Sequence, residues 1–314
     1  MKILVATEKP FSKQAVDGIK EITKKSEHEL VMLEKYTSKQ ELLDAVQSVN
    51  AIIIRSDLID KEVLNAAKDL KIVVRAGTGF DNVDLETATA NDVCVMNTPG
   101  QNSNAVAELV VGLLLYLTRN GFDGTSGTEL KSKKLGLHAF GYIGEIVAQI
   151  GQGLGMEVYA YSPSLSKDPE RGKEHGAIAV KSPEELYDRS EIISLHMPAN
   201  ADTKEIVNYD LLRRLPENGI VVNTARKEVI NEADMVKIMS ERPKFKYATD
   251  IKGNNHDEMV EKFGKRYFAS TKKCGAQTAE ANMNAGLAAA EQIVNFFENG
   301  DEEFRVNEKL VLNI

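Results

Sequence analysis

A glycine-rich turn at residues 139–144, with the sequence AFGYIG, has the clearest chemical potential in the chain. A short apolar run precedes it, and a helical segment and a second apolar run come after it. This order of strand, turn, helix and strand binds a dinucleotide pyrophosphate at a helix N-terminus. Gly141 lets the backbone approach the pyrophosphate, and Gly144 lets the helix pack close to the strand, because glycine has no Cβ. The predicted backbone contacts of a dinucleotide are Ala139, Gly141, Tyr142, Ile143 and Gly144.

Two positions depart from the usual dinucleotide fingerprint. Ala139 stands where the first glycine is expected, and Ser162 stands where an acidic residue would hold the ribose 2′-hydroxyl. Without that carboxylate nothing repels a 2′-phosphate, which Ser164, Lys167 or Arg171 could receive, so both NAD and NADP fit this pattern. A glycine-rich turn between a strand and a helix also occurs in α/β proteins that bind no nucleotide.

Two arginines follow apolar runs nearer the N-terminus. Arg55 follows the run AIII, and Arg75 ends the run IVVR before the glycine-rich segment Ala76–Gly79. Ligands of open α/β sheets bind at the carboxyl ends of strands, where these cations and backbone N–H groups suit a carboxylate or phosphate. The alternative is that both arginines are solvated charges at strand ends.

Patterning along the chain predicts the elements that must position these turns. Short β-branched runs alternate with amphipathic segments, and Ser38 with Glu41 forms a capping box at the start of one helix. This alternation is typical of parallel sheets covered by helices on both faces. With 314 residues, 42% of them hydrophobic, the chain is long enough for two domains. Residues 121–128, GFDGTSGT, have the composition of a linker, after which a second α/β unit is predicted to begin.

Composition excludes several function classes. Two cysteines form neither a disulfide framework nor a metal-ligand spacing, so no metal site is predicted and a reducing compartment fits best. No signal peptide is recognised, and the apolar run 106–117 is too short to span a bilayer and predicts a buried helix. A cytoplasmic location without a membrane partner is therefore expected. The net charge of -8 argues against a nucleic-acid partner.

Six motifs together resemble the D-2-hydroxyacid dehydrogenase family. They are RAGTGFDNVD, NTPGQNSNAVAE, AFGYIG, SLHMP, VVNTAR and CGAQTAEA, in the family's order and near its spacing over almost the whole chain. The resemblance implies two doubly wound parallel-sheet domains. A flavodoxin-like substrate domain at residues 1–99 and 283–314 would contain an inserted Rossmann NAD-binding domain at residues 100–282. The chain resembles short members without a regulatory domain. The resemblance also implies a homodimer. Residues 119–135 form a shorter arm than the family usually has at its dimer contact.

The resemblance also implies the catalytic residues. Arg226 in the NTAR motif matches the catalytic arginine, although Lys227 follows it where glycine is usual. The usual catalytic histidine and its glutamate partner are replaced by Lys273 and Asn255, as in a lysine-bearing subgroup of short phosphoglycerate-oxidising members. Lys273 is therefore expected to be the base, with burial beside Arg226 lowering its pKa. Lys272 is the fallback candidate, and the alternative is an inactive site.

The remaining site residues follow from the same resemblance. The implied substrate contacts are Arg55, Arg75, Ala76, Gly77, Thr78 and Asn102. The implied cofactor contacts beyond the glycine turn are Ser162, His196, Pro198, Thr203, Thr224, Ala225, Asp250 and Gly275. His196 is a poorer candidate for the base than Lys273, because its motif places it on the nucleotide side.

The extra cations favour a phosphorylated 2-hydroxy acid as the small-molecule substrate. The leading interpretation is therefore the NAD-dependent oxidation of D-3-phosphoglycerate to 3-phosphohydroxypyruvate, a step toward serine. A second interpretation is an NAD(P)H-dependent hydroxypyruvate or glyoxylate reductase. A third, from another class, is a non-catalytic nucleotide-sensing protein resembling the corepressors that share this fold.

Overall fold

The structure of the chain, a computed structural model, describes residues 1–309. Its helices are α1 (Lys13–Lys25), α2 (Lys39–Ala45), α3 (Lys61–Ala66), α4 (Leu85–Ala90), α5 (Ser103–Thr118), α6 (Tyr142–Gly153), α7 (Glu170–Glu174), α8 (Pro183–Arg189), α9 (Tyr209–Leu212), α10 (Glu232–Glu241), α11 (His256–Phe263) and α12 (Ala279–Asn299). Its strands are β1 (Lys2–Thr7), β2 (Glu29–Glu34), β3 (Ala51–Ile54), β4 (Ile72–Arg75), β5 (Cys94–Asn97), β6 (Lys134–His138), β7 (Glu157–Tyr161), β8 (Ile178–Ala179), β9 (Ile192–Leu195), β10 (Ile220–Asn223), β11 (Lys246–Thr249) and β12 (Tyr267–Ala269).

The chain divides into two compact units. Unit 1 comprises Met1–Asn102 and Gln277–Ile314, and unit 2 comprises Ser103–Ala276. The domain boundaries predicted at residues 99/100 and 282/283 lie a few residues away from these divisions. Each division instead falls just before a helix: α5 packs on α6 and β11 in unit 2, and α12 packs on α1 in unit 1. Residues 310–314, which the predicted substrate domain includes, lie outside the described residues.

Unit 1 is a parallel sheet with the strand order β2-β1-β3-β4-β5. Successive side chains of a strand point to opposite faces, and both faces of this sheet are buried. In β3, Ile52 and Ile54 enter one apolar cluster, while Ala51 and Ile53 enter the other. Helices therefore cover both faces, and the turns after β3 and β4 emerge side by side at one edge.

Unit 2 is a parallel sheet with the strand order β12-β11-β10-β9-β6-β7-β8. Strand β6 lies between β7 and β9, so the direction of strand addition reverses between β6 and β9. That reversal is the switch point at which doubly wound sheets bind dinucleotides, outside the carboxyl ends of the strands. The glycine turn comes directly after β6, which places it at this point.

The predicted fold class is confirmed, since both sheets are parallel and doubly wound. The run 106–117 lies in α5, which is largely buried, and no helix within residues 1–309 has the length and apolar character needed to cross a membrane. The prediction that residues 121–128 precede the second α/β unit is wrong. They form a turn inside unit 2, because α5, which comes before them, already packs on the sheet of that unit.

Candidate active site

The glycine turn of unit 2 has the geometry of an anion-binding helix N-terminus. Gly141 is the N-cap residue of α6, and a Cβ built on it would meet no heavy atom within 4 Å. A Cβ on Gly144 would lie 3.0 Å from the carbonyl oxygen of Ala139, so this glycine permits close packing of helix on turn. The open space at Gly141 and the unpaired N–H groups of the first helical turn, which includes Tyr142 and Ile143, fit a dinucleotide pyrophosphate.

Ala139 takes a conformation that favours glycine. Its φ is 78°, in the left-handed region, and its N–H donates to the carbonyl oxygen of Tyr161 at 2.8 Å. The turn therefore keeps the backbone that a glycine at this position would adopt, although an L-residue there carries strain on the order of 1–2 kcal/mol. The substitution that weakens the sequence fingerprint does not change the path of the turn.

Ser162 is part of a local turn after β7. Its Oγ accepts the N–H of Leu165 at 3.0 Å and lies 3.0 Å from Oγ of Ser164. Arg171 pairs with Glu145, with Nε donating to Oε1 at 2.7 Å, whereas Lys167 is exposed. Of the three groups suggested for a 2′-phosphate, Ser164 and Arg171 therefore have partners within the chain.

Two histidines meet at the switch point. His138 ends β6 and His196 follows β9, and the backbone N–H of His196 donates to the carbonyl oxygen of His138 at 2.9 Å. Burial lowers the pKa of His138 to about 4 and that of His196 to about 3, so both rings are neutral at pH 7. Nδ1 of His138 lies 3.3 Å from the hydroxyl of Tyr187, while both ring nitrogens of His196 are buried without a hydrogen-bond partner among residues 1–309. Such orphaned polar atoms call for a ligand.

The loop after β10 is held by Asn223. This fully buried side chain accepts the N–H of Ala225 at 3.0 Å and donates to the carbonyl oxygen of Arg226 at 2.9 Å. Arg226 is half-buried, and its Nη1 donates to the carbonyl oxygen of Ala225 at 3.0 Å. Within the described part of the chain, Oγ1 of Thr224 is a further buried atom without a partner. The loop thus fixes the backbone of Arg226 beside another orphaned group at the carboxyl end of the sheet.

Asp250 anchors the segment that carries Lys273. This carboxylate follows β11 and is fully buried. Its Oδ1 accepts the N–H of Cys274 at 2.9 Å, and its Oδ2 accepts the N–H of Gly275 at 2.8 Å. A Cβ on Gly275 would lie 3.0 Å from Oδ2, so only glycine allows this approach without a shift. The backbone immediately after Lys273 is therefore fixed to the end of β11.

The side chain of Lys273 is exposed. The expectation that this side chain is buried is therefore wrong for the chain without a bound cofactor or substrate. The lowered pKa that burial would cause stays a prediction. Lys272 is exposed as well. Asn255, at the position of the usual glutamate, donates its backbone N–H to Oε2 of Glu232 at 3.0 Å.

The loop after β9 is ordered by Thr203. Its hydroxyl donates to the carbonyl oxygen of Pro198 at 2.6 Å and accepts the N–H of Asn200 at 2.9 Å. Backbone hydrogen bonds between neighbouring strand ends link three of the predicted cofactor residues to adjacent turns: Ala139 to Tyr161, His196 to His138, and Asp250 to Asn223 at 3.0 Å. These residues therefore share the carboxyl edge of the sheet in unit 2.

In unit 1 the guanidinium of Arg55 has several contacts. Nη1 donates to the carbonyl oxygens of Lys9 at 2.9 Å and Pro10 at 3.3 Å, and Nη2 donates to Oδ1 of Asn282. The guanidinium also lies over the ring of Phe11, 5.3 Å from its centroid. Arg55 is thus oriented by contacts within its own unit.

The turn after β4 surrounds Gly77. Arg75 donates from Nε to the carbonyl oxygen of Arg55 at 3.0 Å, and its Nη1 lies 1.6 Å from where a Cβ of Gly77 would be. The N–H groups of Ala76 and Gly77 are bonded to Ile54 and Thr98. They are not available as the anion donors predicted from the sequence.

Thr78 and Asn102 meet at the outer side of this turn. The hydroxyl of Thr78 donates to Oδ1 of Asn102 at 3.0 Å, and Nδ2 of Asn97 donates to the carbonyl oxygen of Thr78 at 2.7 Å. Arg55, Arg75, Thr78 and Asn102 therefore lie together in unit 1.

Within residues 1–309 no group of His, Cys, Asp and Glu side chains is arranged to hold a metal ion.

A family model described as D-isomer specific 2-hydroxyacid dehydrogenase, catalytic domain, matches residues 5–307. The chain belongs to this family. The resemblance inferred from the six motifs is thereby confirmed. A solved structure of NAD+-bound 3-phosphoglycerate dehydrogenase from Entamoeba histolytica is 44% identical, covers 99% of both chains and superposes with a TM-score of 0.86.

Two curated relatives show the range within the family. Hydroxypyruvate reductase of Thermotoga maritima is 30% identical over 85% of this chain and 91% of the relative. D-3-phosphoglycerate dehydrogenase of Archaeoglobus fulgidus is 31% identical over 94% of this chain and 57% of the relative. The chain spans about half the length of the curated phosphoglycerate dehydrogenases that it matches.

Sequence reasoning missed the residues that support the site. Asn223 belongs to the NTAR motif that ends at Arg226, so its position signalled a loop anchor. Glu232, which holds the backbone of Asn254 and Asn255, and the pair of Glu145 with Arg171 have no comparable sequence signal. Their partners are 22 to 26 residues distant along the chain.

Proposed function

We propose that this chain oxidises D-3-phosphoglycerate to 3-phosphohydroxypyruvate with NAD, the first step from a glycolytic intermediate toward serine. One observation carries the proposal: the 44% identity, over 99% of both chains, to an NAD+-bound 3-phosphoglycerate dehydrogenase. The relatives named D-3-phosphoglycerate dehydrogenase in archaea and mycobacteria agree with it. The prediction of a dehydrogenase is confirmed by the family match.

The carboxyl edge of unit 2 fits the cofactor. When bound, NAD accepts the hydride from the carbon that bears the hydroxyl. The first turn of α6 would hold the pyrophosphate, because Gly141 leaves space there and the helix N-terminus favours negative charge. His196 and Thr224 carry the orphaned polar atoms that a ligand would satisfy. Roles for Pro198, Thr203 and Ala225 follow from the loops that they share with these two residues.

Arg226 and Lys273 would carry the reaction. A planar guanidinium at Arg226 binds both oxygens of a 2-oxo acid and stabilises the charge that develops on the carbonyl oxygen. Lys273 takes the hydroxyl proton when its amine is neutral, so an alkaline assay favours oxidation. Asp250 fixes the backbone next to Lys273 through Cys274 and Gly275, which places this base on an anchored segment.

Unit 1 would supply the phosphate selectivity. Arg55 and Arg75 place two cations after neighbouring strands β3 and β4, which pair in register at Ile54 and Arg75. Since Ala76 and Gly77 use their N–H groups internally, the hydroxyl of Thr78 and the side chain of Asn102 are the neutral groups beside these cations. Two arginines favour a dianionic phosphate over the uncharged end of glycerate.

Reduction of hydroxypyruvate is the second candidate. The relative from Thermotoga maritima named hydroxypyruvate reductase aligns with this chain over 91% of the relative's length, which favours this substrate class. The same arginine and base would serve, with Lys273 donating rather than accepting the proton. Selectivity for the phosphate distinguishes the two proposals.

We also propose a cytoplasmic homodimer. Cys94 and Cys274 are both free thiols, which suits a reducing compartment. Phe122 is 67% exposed and Leu115 38% exposed, and both lie near the C-terminal end of α5 in unit 2. Exposed apolar side chains of this kind are buried when two copies associate through them. Light scattering coupled to size exclusion would give a single species of twice the chain mass if this is correct.

The direct test of the reaction is the initial rate of NADH formation at alkaline pH. The purified chain is supplied with 3-phosphoglycerate and NAD, with glycerate and NADP as matched controls. We expect a rate specific to 3-phosphoglycerate and NAD. Equal turnover of glycerate would contradict the phosphate role of Arg55 and Arg75. Binding of NADH without turnover of any acid would instead indicate the nucleotide-sensing class.

A further inference from the structure

A charged pair lies beside the glycine turn, on the side of the sheet where β7 ends. Glu145, in the first turn of α6, accepts hydrogen bonds from Nε and Nη2 of Arg171 in α7 at Oε1. The Glu145 side chain is only 14% exposed and that of Arg171 34% exposed. The two side chains thus form a partly desolvated, two-contact ion pair rather than a loose surface contact.

Further contacts keep this pair next to the turn. The guanidinium of Arg171 lies 5.9 Å from the centroid of Phe140, the residue between Ala139 and Gly141. His175 has its Nε2 4.0 Å from Oε2 of Glu145, and its Nδ1 is 3.2 Å from Nε2 of Gln149. Arg171 is therefore held by an aromatic ring and a carboxylate that both belong to the turn and its helix.

The segment after β7 has a specific role in dinucleotide binding. Arg171 lies in α7, the next helix after β7, and a Cβ on its neighbour Gly172 would lie 3.5 Å from Cδ1 of Leu165, in that segment. In a doubly wound dinucleotide fold, the residues after the second strand hold the adenosine ribose, and an arginine there accommodates the 2′-phosphate of NADP. Ser162, at the position where a carboxylate usually excludes that phosphate, has its hydroxyl engaged with Leu165 and Ser164. The expected discriminating charge is absent from its usual place, while a cation suited to the phosphate is present.

We propose that Glu145 selects NAD over NADP by holding Arg171 in an ion pair on the glycine turn. Oε1 of Glu145 accepts from both Nε and Nη2 of Arg171, the donors that a 2′-phosphate would need. Glu145 also compensates the positive charge of Arg171, which would otherwise attract a phosphate dianion. The proposal rests on the proposed use of NAD, since it explains how this chain makes that choice without a carboxylate at position 162.

The test is direct binding of reduced cofactors to Glu145→Gln, monitored by the nicotinamide fluorescence of NADH and NADPH. The chain contains no tryptophan, so little protein emission interferes with this signal. We expect Glu145→Gln to bind NADPH at least about tenfold more tightly than the wild type, with NADH affinity within about twofold. Isothermal titration with 2′,5′-ADP should show the same gain, which separates the ribose phosphate from the nicotinamide.

Three further variants make the result specific. The double variant Glu145→Gln with Arg171→Gln should lose the gain, because the receiving cation is then missing. Glu145→Asp keeps the charge and should keep the preference for NADH, which controls for a folding defect in Glu145→Gln. Glu185→Gln breaks another carboxylate–arginine pair of unit 2, that of Glu185 with Arg189, and should change neither affinity.

Several outcomes would overturn the inference. Unchanged NADPH affinity in Glu145→Gln would do so, and so would a gain that persists in the double variant. An NADPH affinity that falls in Lys167→Gln and does not change in Glu145→Gln would assign the 2′-phosphate contact to the exposed Lys167 instead. If the wild type bound neither NADH nor NADPH, the proposed function itself would fail. Tight NADH binding with no effect at position 145 would leave that function intact and refute only the role of Glu145.

Discussion

The two glycine-rich turns of this chain come after strand ends in the same way but use their glycines differently. In unit 2 a Cβ on Gly141 would meet nothing within 4 Å, so the missing side chain leaves room for a ligand. In unit 1 the space beside Gly77 is filled by the guanidinium of Arg75, with Nη1 only 1.6 Å from the ideal Cβ position. One glycine accommodates a partner from outside, and the other accommodates the protein's own cation.

The carboxyl edges of the two sheets also differ in charge. Unit 1 ends β4 in Arg75, and Arg55 follows β3, so its edge presents positive charge. Unit 2 ends β6 in His138, and His196 follows β9, and both rings are kept neutral by burial. Two cations suit a phosphorylated acid, whereas neutral rings beside a helix N-terminus suit a dinucleotide. Four substitutions test this contrast, in order of decreasing expected effect.

Gly77→Ala should have the largest effect on stability. Gly77 has a φ of 140°, a conformation that alanine rarely adopts, and the new methyl group would also displace Arg75. We expect a loss of unfolding free energy on the order of 2–3 kcal/mol and weaker 3-phosphoglycerate binding, with NADH affinity unchanged. Urea denaturation and substrate titration would measure both. A variant as stable as the wild type would show that the turn of unit 1 does not need its glycine.

His138 should make the stability of the chain depend on pH. Its pKa is lowered by burial to about 4 in the fold, against about 6.5 in the unfolded chain, although Glu184 opposes the shift. The unfolded state therefore binds more protons between these values, and stability falls as the pH drops through that window. Between pH 7 and pH 5 the wild type should lose about 2 kcal/mol through this group, and His138→Gln should lose correspondingly less. Equal losses in both proteins, by urea denaturation, would contradict a neutral buried His138.

Gly141→Ala should weaken cofactor binding without harming the fold. The φ of Gly141 is -123°, which alanine adopts freely, and the methyl group meets only open space. Because that space is where the pyrophosphate would approach, NADH affinity should fall at least about tenfold, or about 1.4 kcal/mol. The melting temperature serves as the control and should not decrease. Unchanged NADH affinity would mean that the open side of Gly141 is not part of the cofactor site.

Ala139→Gly should give a smaller effect, in the stabilising direction. The residue already has a φ of 78°, so glycine would relieve strain that alanine carries. Glycine also gains conformational freedom in the unfolded chain, and the net stabilisation should be at most about 1 kcal/mol. NADH affinity should stay within about twofold of wild type. A loss of stability by urea denaturation would show that the strained backbone at this position is relaxed by other contacts.

Much of the fold follows from local sequence patterns. The alternation of strands with helices and the capping box at Ser38 and Glu41 are both present. These features depend on neighbouring residues, through hydrophobic alternation and side-chain caps. The glycine turn is also identifiable from sequence, since its residues are contiguous and its chemistry is that of the backbone.

The supporting contacts of the site could not be predicted in this way. The ion pair of Glu145 with Arg171, and the bonds from Asp250 to Cys274 and Gly275, join residues 24 to 26 positions apart through neighbouring turns. The exposure of Lys273 differs from the prediction for a related reason, because burial depends on packing and not on residue type. A glycine-rich tip suggests free N–H groups at Ala76 and Gly77, but the adjacent strand and Thr98 already use them.

The central claim is that Lys273, on the segment fixed by Asp250, is the base of an NAD-dependent dehydrogenase. The most direct test compares Lys273→Ala with its neighbour Lys272→Ala, measuring NADH formation from 3-phosphoglycerate beside NADH binding. We predict that Lys273→Ala lowers kcat by about a thousandfold with NADH affinity within about twofold, while Lys272→Ala stays close to wild type. Full activity in Lys273→Ala, or loss of activity only in Lys272→Ala, would contradict the account.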